Sequence, residues 1–262
     1  MMADRPSLSA SLIAVAFLAT VQTSYAEPTK YTADYTVSIY GLTLARTSFT
    51  STLDGDAIQI DGIIATAGVA RIIDDTKGKT TVRGRLSANG IAPDSFMIAY
   101  KSGKKNKRIE IDYAGGTVSR TLNIPPLKKH NKWVALSAAD LKMATDPLSG
   151  IMVRAEKPAD VCARTLRYYD GELRADIRFT YAGKKPFTIP GYSGDATVCT
   201  ASFTPVGGYK PGSSTIEYLK KAQMTVAFAP MGATGMFVPV SASVGTKIGT
   251  VTVRANRLEA SR

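Results

Sequence analysis

The sequence predicts a mainly β protein, a large curled antiparallel sheet forming an open or spiral β-barrel, with one or two short helices packed against its concave face. Short segments rich in Thr, Val, Ile and Tyr alternate apolar and polar residues from Tyr31 to Leu258. Turn residues such as Asp54-Gly55 and Asn89-Gly90 separate them at the spacing typical of antiparallel strands. One stretch, about residues 136–157, has helical periodicity instead.

The first 26 residues have the three-part composition of a secretory signal peptide. Arg5 precedes the apolar run 8–18, and Ser24-Tyr25-Ala26 supplies small residues for cleavage. The run is shorter than the roughly 20 residues of a membrane span, and no later segment is apolar enough to be one. No cysteine follows the cleavage region, so a lipid anchor is not expected. We expect a single β-rich domain at 27–262, located in the periplasm.

Seven strands are predicted in the first half of the chain, each ending at a turn signal such as Gly41 or Gly115-Gly116. They are Tyr31–Ile39, Leu42–Leu53, Ala57–Thr66, Thr80–Leu86, Asp94–Tyr100, Arg108–Tyr113 and Thr117–Ile124.

The helical stretch reads as two short helices joined at Asp146-Pro147. Ser137 and Asp140 resemble a capping box with Asp in place of Glu. Asp146 is a good N-cap, and Pro147 suits the first helical position. The apolar residues after Pro147 then recur on one helical face.

Strands return after Cys162, where Asp170-Gly171 begins a hairpin candidate. The predicted strands are Ala163–Tyr169, Ala175–Tyr181, Ala196–Thr204, Thr215–Phe228, Gly235–Ser243 and Gly249–Leu258. Lys220-Lys221 marks a turn or bulge inside the long one.

Two cysteines, Cys162 and Cys199, lie in the part of the chain expected to be exported. An even pair in an oxidising compartment predicts a disulfide, which would remove roughly 4 kcal/mol of chain entropy from the unfolded state. A redox-active pair is the alternative, but such pairs are usually Cys-x-x-Cys.

The sequence offers little catalytic chemistry. Its one histidine, His130, stands among lysines, and no Gly-x-Ser-x-Gly elbow is present. One His and two Cys that are expected to form a disulfide cannot provide a multi-ligand metal site of the His/Cys type. Acids such as Asp74-Asp75 adjoin turn signals, which favours solvated turns over a glycosidase pair. No phosphate loop or dinucleotide motif occurs. We therefore predict a protein that is not an enzyme and has no cofactor.

The net charge of +12, unchanged by loss of residues 1–26, favours an anionic envelope partner such as lipopolysaccharide, phospholipid or acidic glycan. Solubility alone is the other interpretation, and the compartment makes nucleic acid a poor candidate. Two basic clusters are candidate contacts: Lys101, Lys104, Lys105, Lys107 and Arg108, and then Lys128, Lys129 and Lys132 beside Trp133. The first cluster also suits a charged hairpin tip that discourages aggregation.

The helical insert supplies a second candidate site. Its apolar residues are Leu141, Met143, Leu148, Ile151 and Met152. They are either ordinary core or a movable plug over a lipid-sized cavity, for which methionine is well suited.

Three segments resemble a secreted bacterial family known as domain of unknown function 3108. They are the start Tyr35–Ala45, the stretch Thr145–Gly150, and Arg167–Arg174; the stretch Cys199–Tyr209 resembles its alphaproteobacterial members. The resemblance implies export, a mostly β fold and a role in the cell envelope, and it carries no catalytic residues. The overall pattern is similar to the LolA/LolB lipoprotein carriers and to spiral β proteins of the envelope, an analogy at the level of fold.

Together these features predict a periplasmic protein that supports the envelope, by binding a lipid or another amphipathic ligand. The alternatives are a scaffold that docks envelope proteins through a strand edge and, third, a hydrolase of envelope polymers. The sequence does not determine the oligomeric state.

Overall fold

The computed structural model describes residues 28–72, 75–129 and 131–261 and folds them into strands with two short helices. The predicted signal peptide lies outside these ranges. The strands are β1 Thr29–Ile39, β2 Leu42–Asp54, β3 Ala57–Thr66, β4 Lys77–Ser87, β5 Gly90–Ser102, β6 Lys105–Ala114, β7 Thr117–Ile124, β8 Val153–Arg154, β9 Thr165–Tyr169, β10 Arg174–Ile189, β11 Tyr192–Gly207, β12 Met224–Pro230, β13 Met236–Thr246 and β14 Gly249–Ser261. The helices are α1 Pro147–Ile151 and α2 Ser214–Leu219. Neither is long and apolar enough to cross a membrane.

The strands form one antiparallel sheet in the order β7-β6-β5-β4-β3-β2-β1-β14-β13-β12-β11-β10-β9. The short strand β8 pairs with β13 on one side and with β5 on the other. Strands β1–β5, β8, β13 and β14 thereby form a closed barrel of eight strands. β6–β7 and β9–β12 extend the sheet beyond the two seams.

The seam at β8 depends on a glycine. Gly90 is the register partner of Val153 and has a φ of 143°. A Cβ atom there would collide with the carbonyl oxygen of Met152. Only glycine tolerates both this backbone conformation and this close approach.

The main core fills the barrel, and every long strand contributes apolar side chains to it. Strand β3 illustrates the alternation that directs them inward. Ile58 and Ile60 are buried at 2% exposure each, whereas Gln59 and Asp61, which alternate with them, face outward. A second cluster surrounds the cysteines, with Phe179 and Phe228 in edge-to-face contact at 6.1 Å.

The predicted fold class is confirmed, and the structure adds that the ring is closed. Two local predictions are wrong. The Ser137–Asp140 capping box forms but is followed by turns, and the first half of the predicted strand Thr215–Phe228 is helix α2. The β-branched Thr215 and Ile216 favour a strand, but burial of Ile216 against Ala175 and Phe203 prevails.

The predicted disulfide is confirmed. Cys162 ends the 3-10 turn Pro158–Cys162 and is bonded to Cys199 of β11, with the Cα atoms 5.5 Å apart. Both cysteines are fully buried in the second apolar cluster. The bond therefore attaches the segment that carries β8 to the sheet.

Replacing Gly90 by alanine should destabilise the seam. We expect a loss of about 2–4 kcal/mol in the free energy of unfolding, from a strained φ together with the collision at Met152. Gly55→Ala is the matched control, since Gly55 also has a positive φ, 59°, but has open space around its missing Cβ. It should cost only about 1 kcal/mol. Urea unfolding of both variants measures the difference, and equal losses would contradict the steric argument.

Breaking the disulfide should lower stability by roughly 2–4 kcal/mol. For a chain of this size we expect Cys162→Ser to lower the melting temperature by roughly 4–16 °C under oxidising conditions. In reductant the variant and the wild type should melt together. The prediction is wrong if wild-type protein melts at one temperature with and without reductant.

Candidate functional site

An apolar cavity of about 370 Å³ lies inside the barrel. Its walls come from β1, β2, β13 and β14, and α1 with Met152 covers one side. Alternate residues of β1, from Tyr31 to Val37, point into it, and Phe49 faces them from β2. The cavity is lined mainly by carbon, with the small hydroxyl residues Thr47, Ser51 and Ser241 as polar exceptions.

Two aromatic rings determine the shape of one wall. Tyr35 and Phe49 meet edge to face with centroids 5.9 Å apart. The Tyr35 hydroxyl donates a hydrogen bond of 2.9 Å to the carbonyl oxygen of Pro239, and burial raises the pKa of this phenol. Gly62 leaves room for the Phe49 ring, because a Cβ there would lie 2.6 Å from it. The ring contact, the hydrogen bond and the space left by Gly62 together fix the position of this wall.

Helix α1 is held by a buried carboxylate. Asp146 is its N-cap and is 0% exposed. Asp146 Oδ1 accepts hydrogen bonds from the backbone N–H groups of Leu148, at 3.0 Å, and Ser149, at 2.9 Å. The cap satisfies donors that the first helical turn would otherwise leave unpaired.

A polar region adjoins this cap. Four buried side-chain oxygens there have no hydrogen-bond partner within the described ranges: Tyr113 Oη, Thr145 Oγ1, Asp146 Oδ2 and Ser149 Oγ. Burial, and then the negative charge of Asp146, raise the pKa of the Tyr113 phenol. The residues before and inside α1 thus bury polar groups around the cap, and none of these four residues lines the cavity.

The structure separates the five predicted plug residues. Leu148, Ile151 and Met152 line the cavity. Leu141 instead lines a surface pocket near Trp133, and Met143 is 72% exposed.

The helix expected around Leu141 and Met143 does not form, because the chain there pairs with β7. Met143 has a φ of 57°, and its N–H donates to the carbonyl oxygen of Gly116 at 2.9 Å. This pairing turns the Met143 side chain away from the cavity.

The first basic cluster lies at one edge of an open groove of about 570 Å³ on the sheet. Lys101, Lys107 and Arg108 line it together with the exposed Ile63 and Ile124. The remaining members, Lys104 and Lys105, are exposed at the β5–β6 turn. Lys107 is 4.0 Å from Glu172, and Arg108 is 2.6 Å from Glu110.

The second basic cluster is on the loop after β7. Lys129 and the half-buried Trp133 line a shallow pocket of about 330 Å³, and Lys128 and Lys132 are exposed beside it. Glu172 lines the same pocket and also contacts Lys107. The two clusters therefore adjoin through one carboxylate, which their positions in the sequence did not reveal.

The residues considered above for catalysis do not form a catalytic site among the described residues. Asp75 forms an exposed ion pair with Lys77 at 3.3 Å, while Asp74 and His130 lie outside the described residues. Among the residues that the structure does describe, no group of three or more His, Cys, Asp or Glu could hold a metal ion.

Sequence reasoning missed the cavity walls and the unpaired polar region. The period-two pattern of β1, with Tyr31, Ala33, Tyr35 and Val37 on one face, was the available signal for the walls. Nothing in the sequence indicates that Asp146 is buried rather than solvated.

These features define a class: a closed antiparallel β-barrel with an apolar interior cavity and a short helix over it. Residues 30–256 match the family model described as "Protein of unknown function (DUF3108)", and the chain belongs to this family. No curated protein matches the chain.

One solved structure is similar in outline, a beta-barrel-like protein of domain of unknown function DUF1849 from Brucella abortus. It is 10% identical, with a TM-score of 0.49, over 90% of this chain and 98% of that chain. This likeness carries no argument about function, and the similarity to the LolA/LolB carriers stays a prediction.

The buried Asp146 should make stability depend on pH. Burial raises the pKa of its carboxyl above the ordinary 3.8, although the hydrogen bonds from Ser149 and Leu148 oppose the shift. The folded state therefore binds this proton more tightly, and the stability that the group contributes is lost as pH rises through the folded pKa. Asp146→Asn keeps an oxygen acceptor and removes the charge.

We expect the Asn variant to gain stability relative to wild type as pH rises from about 4 to about 8. Asp146→Ala should instead lose about 0.5–2 kcal/mol with the cap. Urea unfolding across this pH range measures both, and a wild type-to-Asn difference that is constant with pH would contradict the argument.

Proposed function

We propose that this protein is a non-enzymatic binding protein of the cell envelope that holds a lipid or another amphipathic ligand inside its barrel. The observation that carries the proposal is the apolar cavity of about 370 Å³ between the barrel wall and α1. Its volume falls within the range of small-molecule sites, and a lining of carbon with a few hydroxyls suits an acyl chain.

The cover over the cavity favours binding over simple core packing. Helix α1 has five residues, and the same short segment places Leu148, Ile151 and Met152 against the cavity. An unbranched methionine adapts to the shape of an apolar ligand at low cost. The hydroxyls of Thr47, Ser51 and Ser241 in the lining would meet the polar end of an amphipathic molecule.

A periplasmic location is the second part of the proposal. It is supported by the signal-peptide pattern of residues 1–26 and by the disulfide, which is compatible with export. The family description assigns no activity, so the proposal rests on the chain's own features.

A scaffold that docks partners through a strand edge has less support. The β7 edge is occupied near Val118, whose N–H donates to the carbonyl oxygen of Leu141 at 3.3 Å. The β9 edge is occupied where the N–H of Tyr169 donates to Thr145 at 2.9 Å. The hydrolase alternative would need a paired carboxylate or a serine near His130, which lies outside the described residues.

The first test is native mass spectrometry of protein purified from the envelope of its own host, followed by lipid extraction. A bound lipid of defined mass would support the proposal and identify the ligand class. A protein mass without any ligand, from protein purified under conditions that retain bound lipid, would contradict the proposal and favour the scaffold alternative.

Filling the cavity should displace the ligand. Ala33 lines the cavity on β1, and Ala33→Phe would place a ring in the space that the ligand needs. We expect at least a tenfold loss of the bound fraction, about 1.4 kcal/mol of binding free energy, with the fold retained. Ala57→Phe is the matched control, because Ala57 is exposed at the start of β3. Equal occupancy in the two variants would place the ligand elsewhere.

A further inference from the structure

Three of the seven exposed large apolar side chains among the described residues lie at one end of the barrel. Tyr40, Leu42 and Ile248 are 76%, 52% and 74% exposed, and they lie at the β1–β2 and β13–β14 turns. These three residues form what we call the tip patch. Antiparallel pairing brings both turns to the same end, since Ile39 is the register partner of Leu42 on one side and of Val251 on the other.

The two tips touch each other. A Cβ atom on Gly249 would collide with the Tyr40 ring, so that ring lies against the backbone next to Ile248. The two turns that carry the tip patch therefore form one projection at this end. It stands at loop ends, where water would cover it in the free protein.

A row of cations crosses six of the eight barrel strands just behind these tips. One row of register partners runs across six neighbouring strands, β14, β1, β2, β3, β4 and β5, and partners in a row share a face of the sheet. The row is Arg254, Thr36, Arg46, Ala65, Lys77 and Lys101. We call its four charged residues the cation belt, and all four are exposed.

Further lysines extend the positive charge toward the tips. Lys104 and Lys105 belong to the β5–β6 turn and Lys247 to the β13–β14 turn, so they stand at the end that bears the tip patch. In the described part of the chain no ion pair engages Arg46, Lys101 or these three lysines, whereas Lys77 pairs with the exposed Asp75. Their charge is thus available to an anionic partner.

We propose that this end of the barrel docks on a bilayer that contains anionic phospholipid. Apolar side chains on loop tips reach the boundary between head groups and acyl chains, and a row of cations behind them meets the negative surface. The Tyr40 ring has the amphipathic character suited to that depth. Convex tips with flexible lysines behind them fit a soft, charged surface better than the shaped pocket of one protein partner.

The docking goes beyond the proposed ligand and does not require the cavity to be filled. The cavity is nevertheless close, since Val37 and Val253 line it from the strand segments that lead to the tips. A bilayer at this end would place acyl chains near these two residues of the cavity wall.

Vesicle flotation of the full chain, purified after export, tests the docking. Vesicles of phosphatidylcholine with phosphatidylglycerol should carry the wild-type protein, pure phosphatidylcholine should carry much less, and high salt should weaken the binding. Lys101→Gln with Lys104→Gln should reduce the binding constant roughly tenfold or more, since each cation near such a surface contributes severalfold. Leu42→Ser with Ile248→Ser should reduce it comparably.

Two matched controls use the other end of the molecule. Met143→Ser removes a comparably exposed apolar side chain near the β6–β7 turn, and Lys30→Gln with Arg85→Gln removes two exposed cations, one at the start of β1 and one near the end of β4. Both should keep wild-type binding. Absence of flotation with phosphatidylglycerol vesicles, or equal losses in the control and tip variants, overturns the proposal. Native mass spectrometry of the tip variants tests the docking separately from the proposed ligand. These variants should bind vesicles less and still keep any ligand in the cavity.

Discussion

Closure of the barrel by β8 is the constraint on which the rest of the structure depends. Two residues, Val153 and Arg154, join β5 to β13 and turn a long sheet into a ring. Without that seam the cavity would lose its cover, because α1 directly precedes β8. A strand this short contributes few hydrogen bonds of its own, so its position must be fixed by its neighbours. Gly90 permits its approach, and the Cys162–Cys199 bond anchors the chain that follows it.

The segment before the seam is fixed by buried polar groups. Arg174 is 1% exposed; its Nε donates to the carbonyl oxygen of Asp140 at 3.0 Å, and its Nη1 is 2.7 Å from Asp176. This holds the turns after Ser137 against β10. Asp146 then caps α1, with one oxygen buried and unpaired. Buried charge is costly and gives specificity of position rather than bulk stability, which suits a cover that has to lie in one place.

Local patterns predicted much of the sheet, and their failures have identifiable causes. The strands from Leu42 to Thr66 lie where alternation and Asp54-Gly55 placed them, because both signals act within one hairpin. The strand expected at Thr215 is a helix, since contact of Ile216 with residues far away in the chain outweighs propensity. Met143 does not join the predicted plug, because its N–H donates to the carbonyl oxygen of Gly116 in the β6–β7 turn, a contact between residues far apart in the sequence.

The sequence by itself determined the β class, the cysteine pair, the N-cap at Asp146 and the two basic clusters, because each depends on composition or on residues a few positions apart. Only the tertiary structure decided that the ring closes, that Leu148, Ile151 and Met152 face a cavity while Leu141 and Met143 do not, and that Tyr40 and Ile248 meet at one end. Those facts depend on strand register between segments more than 200 residues apart, as in the pairing of β1 with β14, where Ile39 is the partner of Val251. A one-residue change of register would reverse every face, and no local pattern encodes it.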